Sequence, residues 1–148
     1  WEQIKRDERG ERGEEERSML AGISRALPAL SRAMGLQQRA ARVGFDWPTV
    51  GPVADKVEEE WAEFRDAQGV ERQTAELGDL LFSLVNLARW HAIDPESALR
   101  EAGLRFERRF AEMERRGRRA GTPLETLTLD QLNALWEQAK AAEQEGAI

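Results

Sequence analysis

Apolar residues recur every three or four positions along most of this chain, which is the spacing of one face of an α-helix. No stretch alternates between apolar and polar residues as a half-buried strand does. The pattern predicts an all-α protein, an antiparallel helical bundle of about four core helices plus a short C-terminal helix. The helices are predicted in SRALPALSRAMGLQQRAARV, over about Pro52–Ala67, Val70–Ala92 and Pro95–Arg116, and in TLDQLNALWEQAKAAE.

Punctuating residues mark where these helices begin and end. Ser24 is a plausible N-cap for the first helix, and Asp94 with Pro95 supplies an N-cap and a first-turn proline for the fourth. The segment GFDWPTVGP is the clearest break, because it holds two glycines and two prolines. The predicted buried faces are Val53, Val57, Trp61 and Phe64 in the second helix, and Leu99, Ala102, Phe106, Phe110 and Met113 in the fourth.

Length, charge and composition narrow the classes of function. The 148 residues fit one domain over residues 23–145, preceded by a polar leader or linker over residues 1–22. A formal charge of −6 argues against non-specific binding to nucleic acid, and no apolar run is long enough to cross a membrane. The chain has no cysteine, which fits a cytoplasmic location, and its single histidine rules out a two-histidine metal site within one chain. It begins without Met, so we expect a possible preceding domain.

The third helix carries a polar stripe through an otherwise apolar segment. In AELGDLLFSLVNLAR the residues Glu76, Asp79, Ser83 and Asn86 are three, four and three positions apart, so they share one helical face. Leucines surround Glu76 and Asp79, and a buried carboxylate needs a partner.

The second helix carries a similar acidic pair, Glu60 and Glu63, one turn after Lys56. Two neighbouring antiparallel helices would bring these residues near Glu76 and Asp79, and four carboxylates that close repel one another. A hard divalent cation removes the repulsion, so the pattern predicts a Mg²⁺ site, with Mn²⁺ as a possible substitute. The alternative is that Glu60 and Glu63 belong to an ordinary solvated face.

The fourth helix is strongly basic. Eight arginines lie between positions 100 and 119, against four glutamates. Arg105 and Arg109 are one turn apart, and the planar guanidinium suits phosphate oxygens. The alternative is ordinary salt bridging along the helix, for instance between Glu101 and Arg105. Trp136 lies in the last helix and either packs in the core or stacks on a base.

Taken together, these segments resemble the MazG family of nucleoside triphosphate pyrophosphohydrolases. RAARVGFDW, KVEEEWAEF, ELGDLLFSLVNLAR, RFERRF and LWEQAK occur in the order that this family shows, over about Leu27–Glu143. The chain looks like the C-terminal catalytic domain of two-domain members. The resemblance implies Mg²⁺ ligands at Glu60, Glu63, Glu76 and Asp79. It implies nucleotide contacts at Lys56, Arg105, Arg109 and Trp136.

Two positions depart from the family pattern, where Asn-x-Lys-Phe is usual: Gly103 replaces the amide, and Arg105 replaces the lysine. These departures affect base preference and affinity rather than the metal chemistry. Arg72, one turn before Glu76, is a further candidate phosphate contact. Asn86, on the same stripe as Glu76, either contacts the sugar of the nucleotide or satisfies a hydrogen bond in the core. Glu59 is expected to orient or deprotonate the attacking water, since its spacing from Glu63 places it beside the metal ligands.

The expected activity is metal-dependent hydrolysis of a nucleoside triphosphate, by attack of water at the α-phosphorus, to monophosphate and pyrophosphate. Two alternatives are the same bundle acting on dUTP or phosphoribosyl-ATP, and a non-catalytic helical interaction domain. Surplus apolar residues, among them Trp47, Trp61 and Trp90, predict a homodimer or larger homo-oligomer.

Overall fold

The computed structural model describes residues 18–147, and within them the chain forms five α-helices and no strand, which confirms the all-α prediction. Most of the predicted leader, residues 1–17, lies outside the described residues. A single turn of 3₁₀-helix, Leu124–Thr126, precedes the last helix. The helices are α1 Ala29–Arg42, α2 Val50–Asp66, α3 Val70–Trp90, α4 Pro95–Ala120 and α5 Leu129–Gln144.

The chain divides into two compact units, with the division between Glu96 and Ser97. In the first unit, α3 packs along α2 and also contacts α1, so α3 is the central helix. Its core includes Val53 of α2 and Leu80 and Val85 of α3. The second unit holds most of α4 together with α5.

A three-residue link joins α2 to α3 and sets the two helices side by side. Ala67 is buried, and Gly69 precedes α3 with a φ of 86°, in the region that favours glycine. Such a short link makes the helices adjacent and antiparallel. Residues near the end of α2 therefore face residues near the start of α3, which is the geometry that the acidic pairs require.

The N-terminus of α1 differs from the prediction. The helix starts at Ala29 after Pro28, and Ser24 is not its cap. The Ser24 hydroxyl instead accepts a hydrogen bond from the Ala26 amide, while the Ser31 amide of α1 donates to the Glu96 carboxylate at 3.4 Å. The carboxylate that accepts from this free first-turn amide is 65 residues away, so the local sequence could not identify the partner. At α4 the prediction is confirmed, because Pro95 is its first residue and the Glu96 amide donates to Asp94.

Helix α4 continues four residues beyond the predicted end at Arg116. Gly117 suggested the start of a loop, yet it lies buried within the helix. A Cβ atom at this position would lie 2.8 Å from the Thr122 carbonyl oxygen and 3.2 Å from the Leu124 side chain. The glycine therefore permits the following segment to fold closely against α4, and it does not end the helix.

The predicted buried faces are only partly correct. Val53 and Met113 are buried as expected, whereas Trp61 of α2 is half exposed. Leu99, Phe106 and Phe110 of α4 are also among the exposed large apolar residues. A helix shows its apolar stripe in the sequence whether that stripe meets its own chain or another surface, so the periodicity alone could not separate these cases.

Within the part of the chain that the structure describes, no helix combines the length and apolar character needed to span a membrane.

Candidate functional site

Three of the four predicted metal ligands come together on the α2–α3 hairpin. Glu60 and Glu63 of α2 and Glu76 of α3 each place one carboxylate oxygen within 4.8 Å of the other two. The spacing of three residues puts Glu60 and Glu63 on one face of α2, and the short link brings Glu76 opposite them. Carboxylate oxygens converging at this distance form a set that a hard divalent cation can share.

The burial of these carboxylates differs from what their sequence neighbours suggest. The leucines around Glu76 and Asp79 suggest that the α3 pair is the buried one, but the most buried carboxylate belongs to α2. Glu60, from the pair that had a solvated face as its alternative, is 5% exposed. The Glu76 side chain is partly buried, and Glu63 is exposed. Packing against α3 therefore covers the first residue of the α2 pair and leaves the second open to solvent.

The two carboxylate oxygens of Glu60 have different surroundings. Oε1 forms an ion pair with the Lys56 ammonium at 2.7 Å, whereas Oε2 is buried without a hydrogen-bond partner among the described residues. A buried carboxylate oxygen is costly unless it binds a donor or a cation. Together with the convergence of Glu63 and Glu76, this orphaned oxygen fits a divalent cation held at the cluster.

Two cations flank the carboxylates. Lys56 bonds Glu60 and also Glu59, at 2.9 Å, and the Glu60 and Glu59 carboxylates raise the pKa of the Lys56 ammonium well above its usual range. Lys56 is therefore protonated at neutral pH. Arg72 lies 3.5 Å from Glu76 across one helical turn. Both cations offset the mutual repulsion of the acidic group.

Asp79, the fourth predicted ligand, lies outside the group of three carboxylates. It follows Glu76 by one turn on α3, and it is exposed. Glu59 is also exposed and is bound to Lys56. The roles of Asp79 and Glu59 at the site stay predictions.

A cavity of about 620 Å³ opens in the first unit beside the acidic group. Lys56 lines this cavity and binds Glu60, so it connects the two features. Pockets of this size and largely apolar character are typical of small-molecule sites. The lining residues of the cavity come from α1, from the loop before α2, and from α2 and α3, together with Leu20 from the segment before α1.

Asn86 lies in the cavity wall as part of a polar chain. Arg89 donates from Nε to Asn86 Oδ1 at 3.0 Å and from Nη1 to Asp46 Oδ2 at 2.9 Å, and its Nη2 also bonds Asp46. The Arg89 guanidinium lowers the pKa of the Asp46 carboxyl. These hydrogen bonds connect the GFDW loop to α3. Asn86 therefore both accepts a hydrogen bond and lines the cavity.

The loop and α1 contribute site residues that sequence reasoning did not select. Phe45 and Trp47 line the cavity. In the sequence their segment is a break between helices and part of a family motif, and Trp47 is evidence for an oligomer, but neither residue has a predicted role at the site. The signal was present, because two aromatic residues in a short polar loop are unusual unless they contact something. Gln37 of α1 also lines the cavity and is buried, and its sequence context offered no comparable signal.

The predicted phosphate contacts of α4 belong to the second unit. Arg109 donates to Glu143 at 2.6 Å, and its guanidinium lies 5.6 Å from the centre of the Trp136 ring. Arg108 binds the same carboxylate at 2.8 Å, and Arg108 and Arg109 together lower the pKa of Glu143. Arg105 forms no ion pair with any residue that the structure describes, so the suggested bridge to Glu101 is absent there.

Comparison with known proteins accounts for this arrangement. Residues 27–116 match the family model described as phosphoribosyl-ATP pyrophosphohydrolase. The chain is 42% identical over 144 residues to a Thermotoga maritima protein named nucleoside triphosphate pyrophosphohydrolase/pyrophosphatase MazG. It is 45% identical over 148 residues to an Escherichia coli nucleoside triphosphate pyrophosphohydrolase.

Each alignment takes in 97% of this chain but only 55% and 56% of the respective relative, so the chain spans about half the length of these curated relatives. The matched family model covers α1, α2, α3 and much of α4. The three converging carboxylates of α2 and α3 lie within the matched residues. The resemblance to MazG-type proteins is confirmed, and the chain belongs to the phosphoribosyl-ATP pyrophosphohydrolase family.

Proposed function

We propose that this chain hydrolyses nucleoside triphosphates to nucleoside monophosphate and pyrophosphate in a reaction that depends on divalent metal. The observation that carries the proposal is the group formed by Glu60, Glu63 and Glu76, with its buried unpartnered oxygen, beside a cavity that can take a nucleoside. The names of the curated relatives support a triphosphate as the substrate.

The three carboxylates, with Asp79 as a fourth ligand, would hold Mg²⁺ or Mn²⁺. When bound, such ions neutralise the charge of the triphosphate and polarise the phosphorus that is attacked. Glu60 can keep its bond to Lys56 through one oxygen while the other faces the ion. Four carboxylates on adjacent helical turns match the preference of Mg²⁺ for oxygen ligands.

The remaining residues act on water and phosphate. Glu59 orients the attacking water and takes its proton, and the new bond joins the water oxygen to the α-phosphorus. The bond from the α-phosphorus to the bridging oxygen of the β-phosphate breaks, and pyrophosphate leaves. Lys56 and Arg72 stabilise the charge on the phosphate oxygens, and Asn86 contacts the nucleoside. The phosphate contacts of Arg105 and Arg109 and the nucleotide contact of Trp136 stay predictions.

The experiment is a product assay with purified protein. Pyrophosphate and monophosphate are measured for a panel of ribo- and deoxynucleoside triphosphates, dUTP and phosphoribosyl-ATP, with Mg²⁺ or with EDTA. Glu63→Gln and Asp79→Asn should lower hydrolysis by orders of magnitude while leaving the helical circular dichroism unchanged. Glu58→Gln is the matched control, because Glu58 is exposed on the same helix and lies outside the carboxylate group.

The panel also separates the alternatives. Phosphoribosyl-ATP is a specific second candidate, because the matched family model carries that name. Its hydrolysis would release pyrophosphate by the same bond cleavage. Turnover of one substrate far above the others identifies the physiological class. Full activity in EDTA, or in both carboxylate variants, would contradict the proposed metal site, and no turnover of any substrate would favour an interaction domain.

Two further parts of the proposal concern the whole protein. A homodimer or larger homo-oligomer is proposed from exposed apolar residues on α2, α3 and α4. The cytoplasmic location stays a prediction from the cysteine-free sequence.

A further inference from the structure

Three aromatic side chains form much of the wall of the 620 Å³ cavity: Phe45 and Trp47 from the loop before α2, and Phe82 from α3. Flat aromatic surfaces are suited to stacking on a heterocycle. Lys56 lines the same cavity and binds Glu60 of the carboxylate group. The cavity therefore suits a ligand whose planar end lies among aromatic rings and whose phosphate end lies near the metal ligands.

Gln37 is a polar residue buried in this apolar wall. Its Nε2 donates to the Phe82 carbonyl oxygen at 2.7 Å. A backbone carbonyl can only accept, so this bond fixes which end of the amide faces Phe82. The other end of the amide is the Oε1 oxygen, which is buried without a hydrogen-bond partner among the described residues.

The charged and amide side chains that line the cavity beside Gln37 already have partners. Arg89 donates to both Asp46 and Asn86, and Lys56 is bound by Glu59 and Glu60. Gln37 is itself more than nine-tenths buried. Retaining an orphaned amide oxygen there costs free energy, which a ligand donating an N–H to it would recover.

We propose that Gln37 reads the nucleobase, with its Oε1 oxygen accepting a hydrogen bond from an N–H on the edge of a base held in this cavity. The inference rests on the proposed function, since it assigns the base end of the same substrate. It makes Gln37 a residue that determines specificity and takes no part in the chemical step. Bases that offer an N–H at that edge bind better than isosteric bases that lack one.

The test compares ATP with purine riboside 5′-triphosphate, which has the same ring system but no amino group and no N–H on the corresponding edge. Wild-type protein should favour ATP in kcat/KM by roughly tenfold, the worth of one neutral hydrogen bond. In Gln37→Met, which keeps the length of the side chain but removes the acceptor, the ratio should fall towards one. The change should come mainly from a higher KM for ATP.

Gln38→Met is the matched control, since Gln38 is the next residue of α1, is exposed and does not line this cavity. It should keep the wild-type ratio. CTP and UTP extend the comparison: a preference for CTP over UTP in wild-type protein that disappears in Gln37→Met supports the reading of an exocyclic amine.

Binding by calorimetry gives a readout that does not need turnover. The Kd of AMP should be roughly tenfold lower than that of purine riboside 5′-monophosphate in wild-type protein, and equal to it in Gln37→Met. Equal Kd values and equal kcat/KM values in wild-type protein would overturn the role of Gln37 and leave the proposed hydrolysis standing. A retained AMP preference without hydrolysis of any triphosphate would overturn the proposed function and leave the role of Gln37 standing.

Discussion

Glu60 is the residue on which the acidic site depends, because it is the buried member of the group and its two oxygens have different surroundings. One binds Lys56 at 2.7 Å, and the other has no partner among the described residues. The ion pair with Lys56 compensates the buried charge of Glu60, because an unpaired buried carboxylate costs much more folding free energy than a paired one. The free oxygen leaves room for a second cation, so the arrangement is suited to both the metal-free and the metal-bound protein.

Lys56→Met should make the stability of the protein more dependent on metal. Without Mg²⁺, the variant leaves Glu60 without its cation and should lose roughly 1–2 kcal/mol of unfolding free energy, discounted for the partial exposure of Lys56. Mg²⁺ can replace the missing charge, so the increase in Tm on adding Mg²⁺ should be larger than in wild-type protein. Thermal unfolding with and without MgCl₂ measures both effects.

Lys140→Met supplies the control for this comparison, since Lys140 forms an equivalent one-turn pair with Glu137 on α5. It should lose little stability, and its response to Mg²⁺ should match that of wild-type protein. An equal response to Mg²⁺ in Lys56→Met and Lys140→Met would mean that the cation does not bind at Glu60.

Arg109→Ala should weaken substrate binding and slow turnover, because a cation facing the phosphates contributes to both the ground state and the transition state. Steady-state kinetics on several triphosphates, normalised to folded protein, measures the effect. Arg108→Ala is a closely matched control, since Arg108 and Arg109 bind the same Glu143 carboxylate. Both variants lose an ion pair, but only Arg109→Ala should show a higher KM and a lower kcat.

Arg105→Lys restores the residue usual in the family, and it should stay active with a modest change in KM. It keeps the charge and gives up the bidentate geometry of the guanidinium. If Arg109→Ala matches wild type in kcat and KM, the arginines of α4 are structural and the phosphate role is wrong.

At the scale of elements, the second half of α4 is held by a buried ion cluster. Glu112 is buried and binds Arg115 one turn ahead at 2.6 Å and Arg116 at 2.6 Å, and Arg116 also donates to Gln138 of α5. These guanidinium groups, Arg116 foremost, lower the pKa of Glu112 below its ordinary value of 4.5. The cluster links two turns of α4 to its neighbour in the second unit.

This lowered pKa gives a defined dependence of stability on pH. The unfolded chain binds a proton at Glu112 more tightly than the folded protein, so the stabilisation is complete above pH 4.5 and is lost as pH falls through the lower folded-state pKa. Glu112→Gln should reduce stability near neutral pH by about 1–2 kcal/mol and flatten the acid limb of the unfolding curve. Glu114→Gln, whose pairing with Arg118 is 4.0 Å long, should behave as wild type. Identical acid limbs in wild type and Glu112→Gln would show that the cluster contributes nothing.

At the scale of the whole molecule, apolar surface is left over. Leu77, Leu81 and Leu84 of α3 are each more than 40% exposed, and their spacing of four and three residues puts them on one face. Trp61 and Phe64 of α2 stack at 5.8 Å, and Trp61 is half exposed. Exposed apolar residues that share a helical face are typical of subunit interfaces.

Sedimentation equilibrium at micromolar concentration should therefore give the mass of a dimer or larger oligomer. Leu81→Glu should shift the protein towards monomer, because burying an unpaired carboxylate in an interface is strongly unfavourable. Val70→Glu is the control, since Val70 is exposed in the first turn of the same helix, where an acidic residue is favourable. A monomer mass for the wild-type protein would contradict the proposed oligomer.

The sequence by itself determined the helices and most of their ends. Helical periodicity and turn residues are local properties, so they could be recognised without knowing what each helix contacts. The spacing of Glu60 and Glu63, and of Glu76 and Asp79, likewise sets a shared helical face, and three of these four carboxylates do converge.

Only the tertiary structure decided which members of each pattern are buried. Glu60 and Glu63 have the same chemistry and belong to the same stripe, yet only Glu60 is buried. Trp61, expected in the core, faces outwards, while Gln37, which no pattern distinguished, lies at the wall of a cavity. Burial depends on how neighbouring helices approach one another, and the cavity is assembled from segments more than forty residues apart in the chain, such as Gln37 and Phe82. Periodicity along a single helix contains no information about that approach, so the orphaned oxygens of Glu60 and Gln37 become apparent only when the chain is folded.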